Sequence, residues 1–202
     1  MPGRCQIGRV PRRLIHGDEA SQLLEFAIAL PLLVVLVVGI FDFGAAFNLK
    51  QELNNAAREG ARFASSEPTN DMCTGCLAPA SVDAVRFLVD SYLQASRIND
   101  CGLSGVALPT GSTSSWSWTY TAMGGGCPGT QGLVLTISRS MAVPATGYGN
   151  PNPINVTLVS TQVQISYPYQ WRFNRAITLL APGANYAGVS QINTDAWAAN
   201  MN

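Results

Sequence analysis

The sequence predicts an α+β fold: a long N-terminal transmembrane helix followed by a small domain with a second helix packed on a three- or four-stranded antiparallel sheet. Two observations support this. A helical repeat continues without a break from about Ser21 to Ala64, and alternating strand patterns begin only after Asn99. The order of elements, two helices and then the strands, is typical of α+β proteins.

The composition limits the classes of protein that the chain can belong to. Its 202 residues include twelve basic and twelve acidic side chains, so the formal net charge is zero. Only 12% of the residues are charged and 47% are hydrophobic, which is too apolar for a disordered chain and too neutral for a nucleic-acid-binding protein. A single histidine, His16, and a single lysine, Lys50, leave few groups for catalysis. We expect no enzyme activity, no cofactor and no metal site.

The apolar residues are concentrated in a run near the N-terminus. Sixteen residues without a formal charge separate Glu25 from Asp42. At about 1.5 Å per residue they cover roughly 24 Å of a ~30 Å hydrocarbon core, and apolar residues extend the run as far as Phe47. We therefore expect residues 21–47 to span a membrane. Four basic residues before the run predict a cytoplasmic N-terminus; they are Arg4, Arg9, Arg12 and Arg13.

Two other interpretations of this run remain open. A buried core helix would have a similar apolar length, but it would not explain the preceding arginines. A cleaved secretory signal would explain the arginines and the small residues at positions 44–46. Against a secretory signal, Glu25 abuts the apolar core, and the helical pattern continues after Ala46.

The helical pattern continues beyond the apolar run as an amphipathic helix. Apolar or small residues recur at steps of three or four, and charged residues lie between them. We expect residues 48–66 to extend the helix on the periplasmic side, and Pro31 to be the point where the long helix can kink. Small residues on the apolar stripe let a neighbouring backbone approach closely; they are Ala56, Ala57, Gly60 and Ala61.

The remaining residues, 67–202, are predicted to form a small exported domain. Pro68 lies in a segment that breaks the helix, and Ser81 is predicted to cap a second helix that ends near Ser96. The Ala-, Gly- and Asn-rich residues from Pro182 onward are either ordered by docking or frayed. The predicted strand segments are residues 114–122, 132–138, 156–159 and 163–167.

The five cysteines divide between the two sides of the apolar run. Cys5 precedes the run, and the other four lie in the exported part of the chain. Thiols are oxidised in export compartments, so we expect these four, Cys73, Cys76, Cys101 and Cys127, to form two disulfides, with three possible pairings. A redox-active Cys73–Cys76 pair is the weaker interpretation because it lacks a βαβ context, and a zinc site would need a second closely spaced pair.

Residues 20–64 contain four short motifs whose order and spacing are fairly specific. The motifs are Glu25-Phe26 at the start of the apolar run, Pro31 inside it, residues 39–44 at its end and residues 55–62 beyond it. Together they resemble the TadE-like family, the pseudopilins of the Tad (Flp) type IV pilus system. Residues 163–169, which end in Ser-Tyr-Pro-Tyr, look like the strand and Tyr-Pro turn near the end of such proteins.

This resemblance implies a structural role as a minor pilin or pseudopilin that primes, caps or adjusts a pilus. Such proteins enter the bacterial inner membrane with the N-terminus inside, and a prepilin peptidase removes the basic leader. The family pattern makes residues 1–20 the leader and places cleavage between Ala20 and Ser21, although glycine is usual before the cut. The implied partners are other Tad pilins, the prepilin peptidase, the inner-membrane assembly platform and membrane lipid.

Glu25 suggests how neighbouring subunits would keep their register. A carboxylate near hydrocarbon costs several kcal/mol unless it is partnered. Cleavage would place the α-amino group of Ser21 at a similar depth, so Glu25 of one subunit could pair with that amine of its neighbour. The simpler alternative is that Glu25 reaches the cytoplasmic headgroups. Phe26 and Pro31 belong to the same assembly segment, and Asp42 either faces the outer interface or pairs with a basic residue of a partner helix.

A membrane-tethered adhesin or surface-binding module is the alternative function. Trp116, Trp118 and Tyr120 would then form an aromatic binding strip, whereas the simpler explanation is one face of a strand buried against the helices. A hydrolase would need a pair of carboxylates, and no local pattern singles one out.

Overall fold

The predicted α+β class is confirmed. Helix α1 (Gly17–Ser66) and helix α2 (Ala80–Ala95) precede a short 3-10 turn at Leu103–Gly105. The strands that follow are β1 (Ser117–Ala122), β2 (Leu133–Gly147), β3 (Ile154–Gln170) and β4 (Val189–Ala199). The structure, a computed structural model, describes residues 17–72, 78–110, 116–147, 154–173, 177–178, 183 and 188–201.

The four strands form one antiparallel sheet in which each strand pairs with the next along the chain. The predicted segments 156–159 and 163–167 belong to a single strand, β3, because the polar residues between them stay paired: Ser160 lies opposite both Met141 and Ala199. The fourth strand, β4, comes from the C-terminal stretch, which docks rather than frays. Its small and polar residues gave no clear alternation in the sequence.

The hydrophobic core lies between the inner face of the sheet and the two helices. At Gly60, α1 passes so close to its neighbours that an added Cβ would lie 3.1 Å from a methyl group of Val89 and 3.5 Å from one of Val163. The small residues of α1 therefore let it approach α2 and β3 together. The other core side chains include Val82, Val85 and Leu93 of α2 and Trp118, Tyr120, Leu133, Leu135, Ile137 and Ile165 of the sheet.

Residues outside the two helices bind the C-terminal end of α1 and the N-terminal end of α2. Ser81 does not cap α2, which begins one residue earlier; instead its N–H and hydroxyl donate to the Asp71 carboxylate at 2.7 and 3.0 Å. A carboxylate at a helix N-terminus satisfies unpaired donors and complements the helix dipole. Just beyond the other end, the buried Arg139 guanidinium donates to the carbonyl of Glu67 at 2.7 Å.

A disulfide joins the loop after α2 to the loop between β1 and β2. It links Cys101 to Cys127, whose Cα atoms are 5.1 Å apart. The N–H of Gly124 also donates to the carbonyl of Cys101 at 2.9 Å, so the two loops are held by a covalent bond and a hydrogen bond. The other two predicted disulfide cysteines, Cys73 and Cys76, lie outside the described residues.

Candidate assembly helix and its joint with the domain

The first half of α1, residues 21–45, is almost bare of protein, and we call it the apolar span. Large side chains are exposed along its whole length: Leu23 is 70% exposed and Phe41 is 75% exposed. By length and composition α1 is able to cross a membrane, and the most apolar part of the helix is not buried within the structure. A surface of this kind is unfavourable in water and needs a covering of lipid or of other helices.

The second half of α1, from Ala46 to Ser66, is enclosed by the domain on one side. Leu53 and Ala64 are fully buried there. Side-chain methyl groups of α2 and β3 lie close to the small-residue stripe at Gly60, and all four small residues predicted to pack closely against a neighbour are buried. These residues are Ala56, Ala57, Gly60 and Ala61.

Asp42 links the end of the apolar span to the end of β3. Its carboxylate is only 4% exposed. The Tyr169 hydroxyl donates to Oδ1 at 2.7 Å, and the backbone N–H groups of Arg172 and Phe173 donate to Oδ2 at 2.6 and 2.9 Å. We call these four residues the joint. A carboxylate that accepts several hydrogen bonds can remain charged without direct contact with water.

The end of β3 explains why these donors are available to Asp42. The strand finishes at Gln170, so the N–H groups of Arg172 and Phe173 lie beyond the ladder and are free to turn towards α1. The pKa of Tyr169 is raised to about 12, first by burial and then by the hydrogen bond and charge of Asp42. Its hydroxyl therefore remains a proton donor over the whole physiological pH range.

Aromatic rings surround the joint and form a second contact between α1 and the end of β3. The Trp171 ring centroid lies 5.1 Å from that of Phe43, 5.0 Å from that of Tyr169 and 5.7 Å from that of Phe173. We call these four residues the aromatic cluster. The indole N–H of Trp171 donates to the Ser190 hydroxyl at 2.7 Å, which fixes the orientation of the central ring.

Of the four residues predicted for subunit assembly and register, Asp42 belongs to the joint, and the other three lie at least ten positions before it on α1. Glu25 and Phe26 are exposed on the apolar span, and no residue in the described part of the chain forms a hydrogen bond or ion pair with Glu25. Pro31 is half-buried, and the helix continues through it. The predicted cleavage pair, Ala20 and Ser21, lies in the first turns of α1.

The donors to Asp42 were not foreseen from the sequence. We expected Asp42 to face the outer interface or to pair with a basic residue of a partner helix, and the structure shows in addition that its own chain supplies three hydrogen bonds to the carboxylate. Tyr169 was already part of the Tyr-Pro motif. No local pattern connects that motif to a residue 127 positions earlier, so sequence reasoning missed the contact.

Strand β1 does not provide the aromatic binding strip of the alternative function. Trp118 and Tyr120 are 1% and 0% exposed and belong to the core, as the simpler explanation required. Trp116 is 39% exposed and precedes the strand. Two of the three rings are therefore inaccessible to a ligand.

A pair of carboxyl groups, the buried Asp90 and the half-buried Asp100, lies where α2 meets the loop that follows it. The side-chain amide of Gln94 donates to Asp90 at 3.0 Å and to Asp100 at 3.1 Å. Burial, and then the hydrogen bond and charge of Asp100, raise the pKa of Asp90 to about 6. Arg86 lies nearby and donates to the carbonyl of Leu103 at 2.9 Å. Within the described ranges, no three or more His, Cys, Asp or Glu side chains are grouped to hold a metal ion.

The segment that contains the apolar span is similar to a known protein family. Residues 20–62 match the family model described as TadE-like protein. This match covers the apolar span, Asp42 and most of the enclosed half of α1. No curated protein and no solved structure matches the chain. Over residues 20–62 the N-terminal helix is thus similar to TadE-like proteins.

Proposed function

We propose that this protein is a minor pilin or pseudopilin that takes part in assembling a Tad (Flp)-type pilus at the bacterial inner membrane. The observation that carries the proposal is the apolar span, which is exposed along the TadE-like segment while the rest of the same helix is fixed in a folded domain. The N-terminus lies in the cytoplasm and the domain in the periplasm, as the arginines before the span predict.

One helix surface serves two successive environments in this proposal. Before assembly, lipid covers exposed side chains such as Leu32 and Phe41. During assembly, the helices of other pilins replace the lipid, and the exchange is possible because neither environment requires polar partners along most of the helix. The domain is carried as a rigid body because the second half of α1 is part of its core. Priming, capping or adjusting the pilus needs no more than this.

Glu25 supplies direction and register to the exchange. It is a carboxylate on an otherwise apolar, exposed helix surface, so it favours a cationic partner at the same depth. Cleavage between Ala20 and Ser21 by the prepilin peptidase creates such a cation, the α-amino group of Ser21. Pairing of Glu25 with that amine on a neighbouring subunit fixes the axial offset between two helices, with Phe26 and Pro31 in the same contact.

The proposal is tested in the native host by deleting the protein and complementing the deletion. Deletion abolishes surface pili, and the wild-type chain restores them. Glu25→Ala fails to restore them although the protein still reaches the membrane, whereas Glu59→Ala, which removes an acid from the enclosed half of α1, restores them. Normal piliation in the deletion strain overturns the proposal.

Two measurements on the same strains identify the partners and the processing site. A photo-crosslinking residue at Leu32, which is exposed at mid-span, captures other Tad pilins in the wild-type background and fewer of them with Glu25→Ala. N-terminal sequencing of the membrane-extracted protein finds Ser21 as the first residue. Crosslinks that contain no pilus protein, or a mature chain that starts at Phe47, contradict the proposal.

A further inference from the structure

We propose that the aromatic cluster and Arg172 form a lipid-binding surface, which seats the domain directly on the outer leaflet of the bilayer at the level of Asp42. The proposed occupant is the headgroup region of the same membrane that α1 crosses. The inference rests on the proposed function only in requiring that α1 spans a bilayer.

The length of the helix supports this level for the outer interface. From Ser21 to Phe41 an α-helix rises about 30 Å, which equals the thickness of a typical hydrocarbon core. Asp42 then lies at the outer boundary, about one and a half helical turns earlier than the boundary at Phe47 that the sequence suggested. Ala46, four residues beyond Asp42, is buried against the domain, so the helix makes its first core contact just past this level.

The aromatic cluster has the chemistry of a membrane interface. Trp and Tyr are enriched where hydrocarbon meets headgroups, because their rings are apolar and their N–H or O–H groups are polar. Here the polar atoms are already satisfied, by Ser190 for Trp171 and by Asp42 for Tyr169. Phe43 remains mostly exposed and continues the surface of the apolar span outward to the rings.

Arg172 adds a cation beside the last turns of the apolar span. Its side chain is exposed and borders a cavity of about 170 Å³ together with Val38, Phe41 and Ala45. A guanidinium next to a hydrocarbon-covered helix is favourable where it can donate to lipid phosphate. The backbone N–H of the same residue is held by Asp42, so the joint sets the depth at which the guanidinium lies.

The joint also explains how an acid is tolerated at this depth. An unpartnered carboxylate next to hydrocarbon would draw water or headgroups towards itself. Asp42 accepts three hydrogen bonds from the end of β3 and is buried, so the domain replaces that solvation. The contacts that tether the domain to α1 are therefore the same contacts that bring the aromatic cluster to the interface.

The test uses the full-length protein in vesicles of phosphatidylethanolamine and phosphatidylglycerol whose acyl chains carry bromine close to the headgroup. Bromine quenches tryptophan fluorescence on contact. We expect quenching of the wild-type protein, loss of most of it in Trp171→Phe, and little change in Trp197→Phe. Trp197 is a matched control because it is exposed but pairs with Gln162, about 25 Å along β3 from Gln170.

Two further variants test the joint and the cation without altering a tryptophan. Asp42→Ala releases the end of β3 from α1, so it reduces the quenching of Trp171. Arg172→Gln weakens the increase in quenching that phosphatidylglycerol produces over phosphatidylethanolamine alone, whereas Arg58→Gln, on the enclosed half of α1, does not.

Extraction at alkaline pH separates failure of this inference from failure of the proposed function. Protein that resists extraction but keeps its quenching in Trp171→Phe overturns the lipid seat and leaves the anchored pilin intact. If the wild-type protein resists extraction but fluoresces as strongly in brominated as in unbrominated vesicles, the lipid-binding surface is likewise wrong and the anchored pilin is not affected. Protein that is washed from the vesicles at alkaline pH has no membrane-spanning α1, and both proposals are then wrong.

Discussion

The two halves of α1 do not follow the simple rule that the more apolar part of a helix is the part buried in the protein. The more apolar half, before Ala46, is exposed, and the half with more charged residues is enclosed in the core. The size of the side chains distinguishes the halves better. Lipid and mobile neighbours accommodate Leu, Val and Phe, whereas α2 and β3 approach the enclosed half so closely that alanine and glycine fill the contact.

The sharpest way to break this comparison is to enlarge one glycine in each half. Gly60→Leu pushes a branched side chain into Val85, Val89 and Val163, so we expect the domain to lose about 3 kcal/mol of stability. Gly39→Leu is the matched control, since no atom lies within 4 Å of an added Cβ there. Denaturant unfolding of the detergent-solubilised protein measures both. Equal effects of the two substitutions would show that the halves do not differ in packing.

The disulfide lies entirely in the domain, so removing it should affect the domain and not the apolar span. Replacing both Cys101 and Cys127 by Ser removes a crosslink between residues 26 positions apart. Loop-closure entropy predicts that the domain then loses about 3 kcal/mol of stability. Thermal unfolding followed by near-UV circular dichroism detects the loss, while membrane insertion through the apolar span continues. Cys5→Ser is the control and leaves the melting temperature unchanged. An unchanged melting temperature in the double variant would mean that the bond does not brace the domain.

The sequence predicted the local elements of the fold and missed the contacts between distant ones. The 3.6-residue period fixed both helices to within a few residues, because such patterns are carried by neighbouring side chains. Strand β4 was not predicted because it packs small residues such as Ala196 and Ala198 against α1, and small side chains give little alternation of hydrophobicity along a strand. The cap from Asp71 and the Asp42–Tyr169 hydrogen bond depend on pairings that no local pattern records.

The joint is the place where the two halves can be uncoupled. Asp42→Asn replaces one acceptor oxygen by a donor that faces existing donors, so we expect a loss of about 2 kcal/mol. Glu52→Gln is the control; its carboxylate lies 3.5 and 3.4 Å from its hydroxyl donors, on Tyr92 and Ser96, and should cost much less. A double-mutant cycle of Asp42→Asn with Tyr169→Phe isolates the hydrogen bond between them. Strictly additive losses would show that this bond does not couple α1 to β3.

The smallest expected effect is a pH dependence of the domain's stability, which arises at Asp90 on α2. The pKa of Asp90 is raised from 3.8 to about 6, and that of its neighbour Asp100 is lowered, so the pair keeps one proton between these values. The stability contributed by protonated Asp90 is fully present below its ordinary pKa and is lost as pH rises through about 6.

We therefore expect the domain to be about 1 kcal/mol less stable at about pH 7.5 than at about pH 5. Asp90→Asn keeps an uncharged side chain at every pH and flattens this dependence, whereas Glu25→Gln, in the apolar span, leaves it unchanged. Urea unfolding at the two pH values measures the difference. A slope that survives in Asp90→Asn would assign the pH dependence to other groups, and a slope altered by Glu25→Gln would show that the exposed half of α1 contributes to the stability of the domain after all.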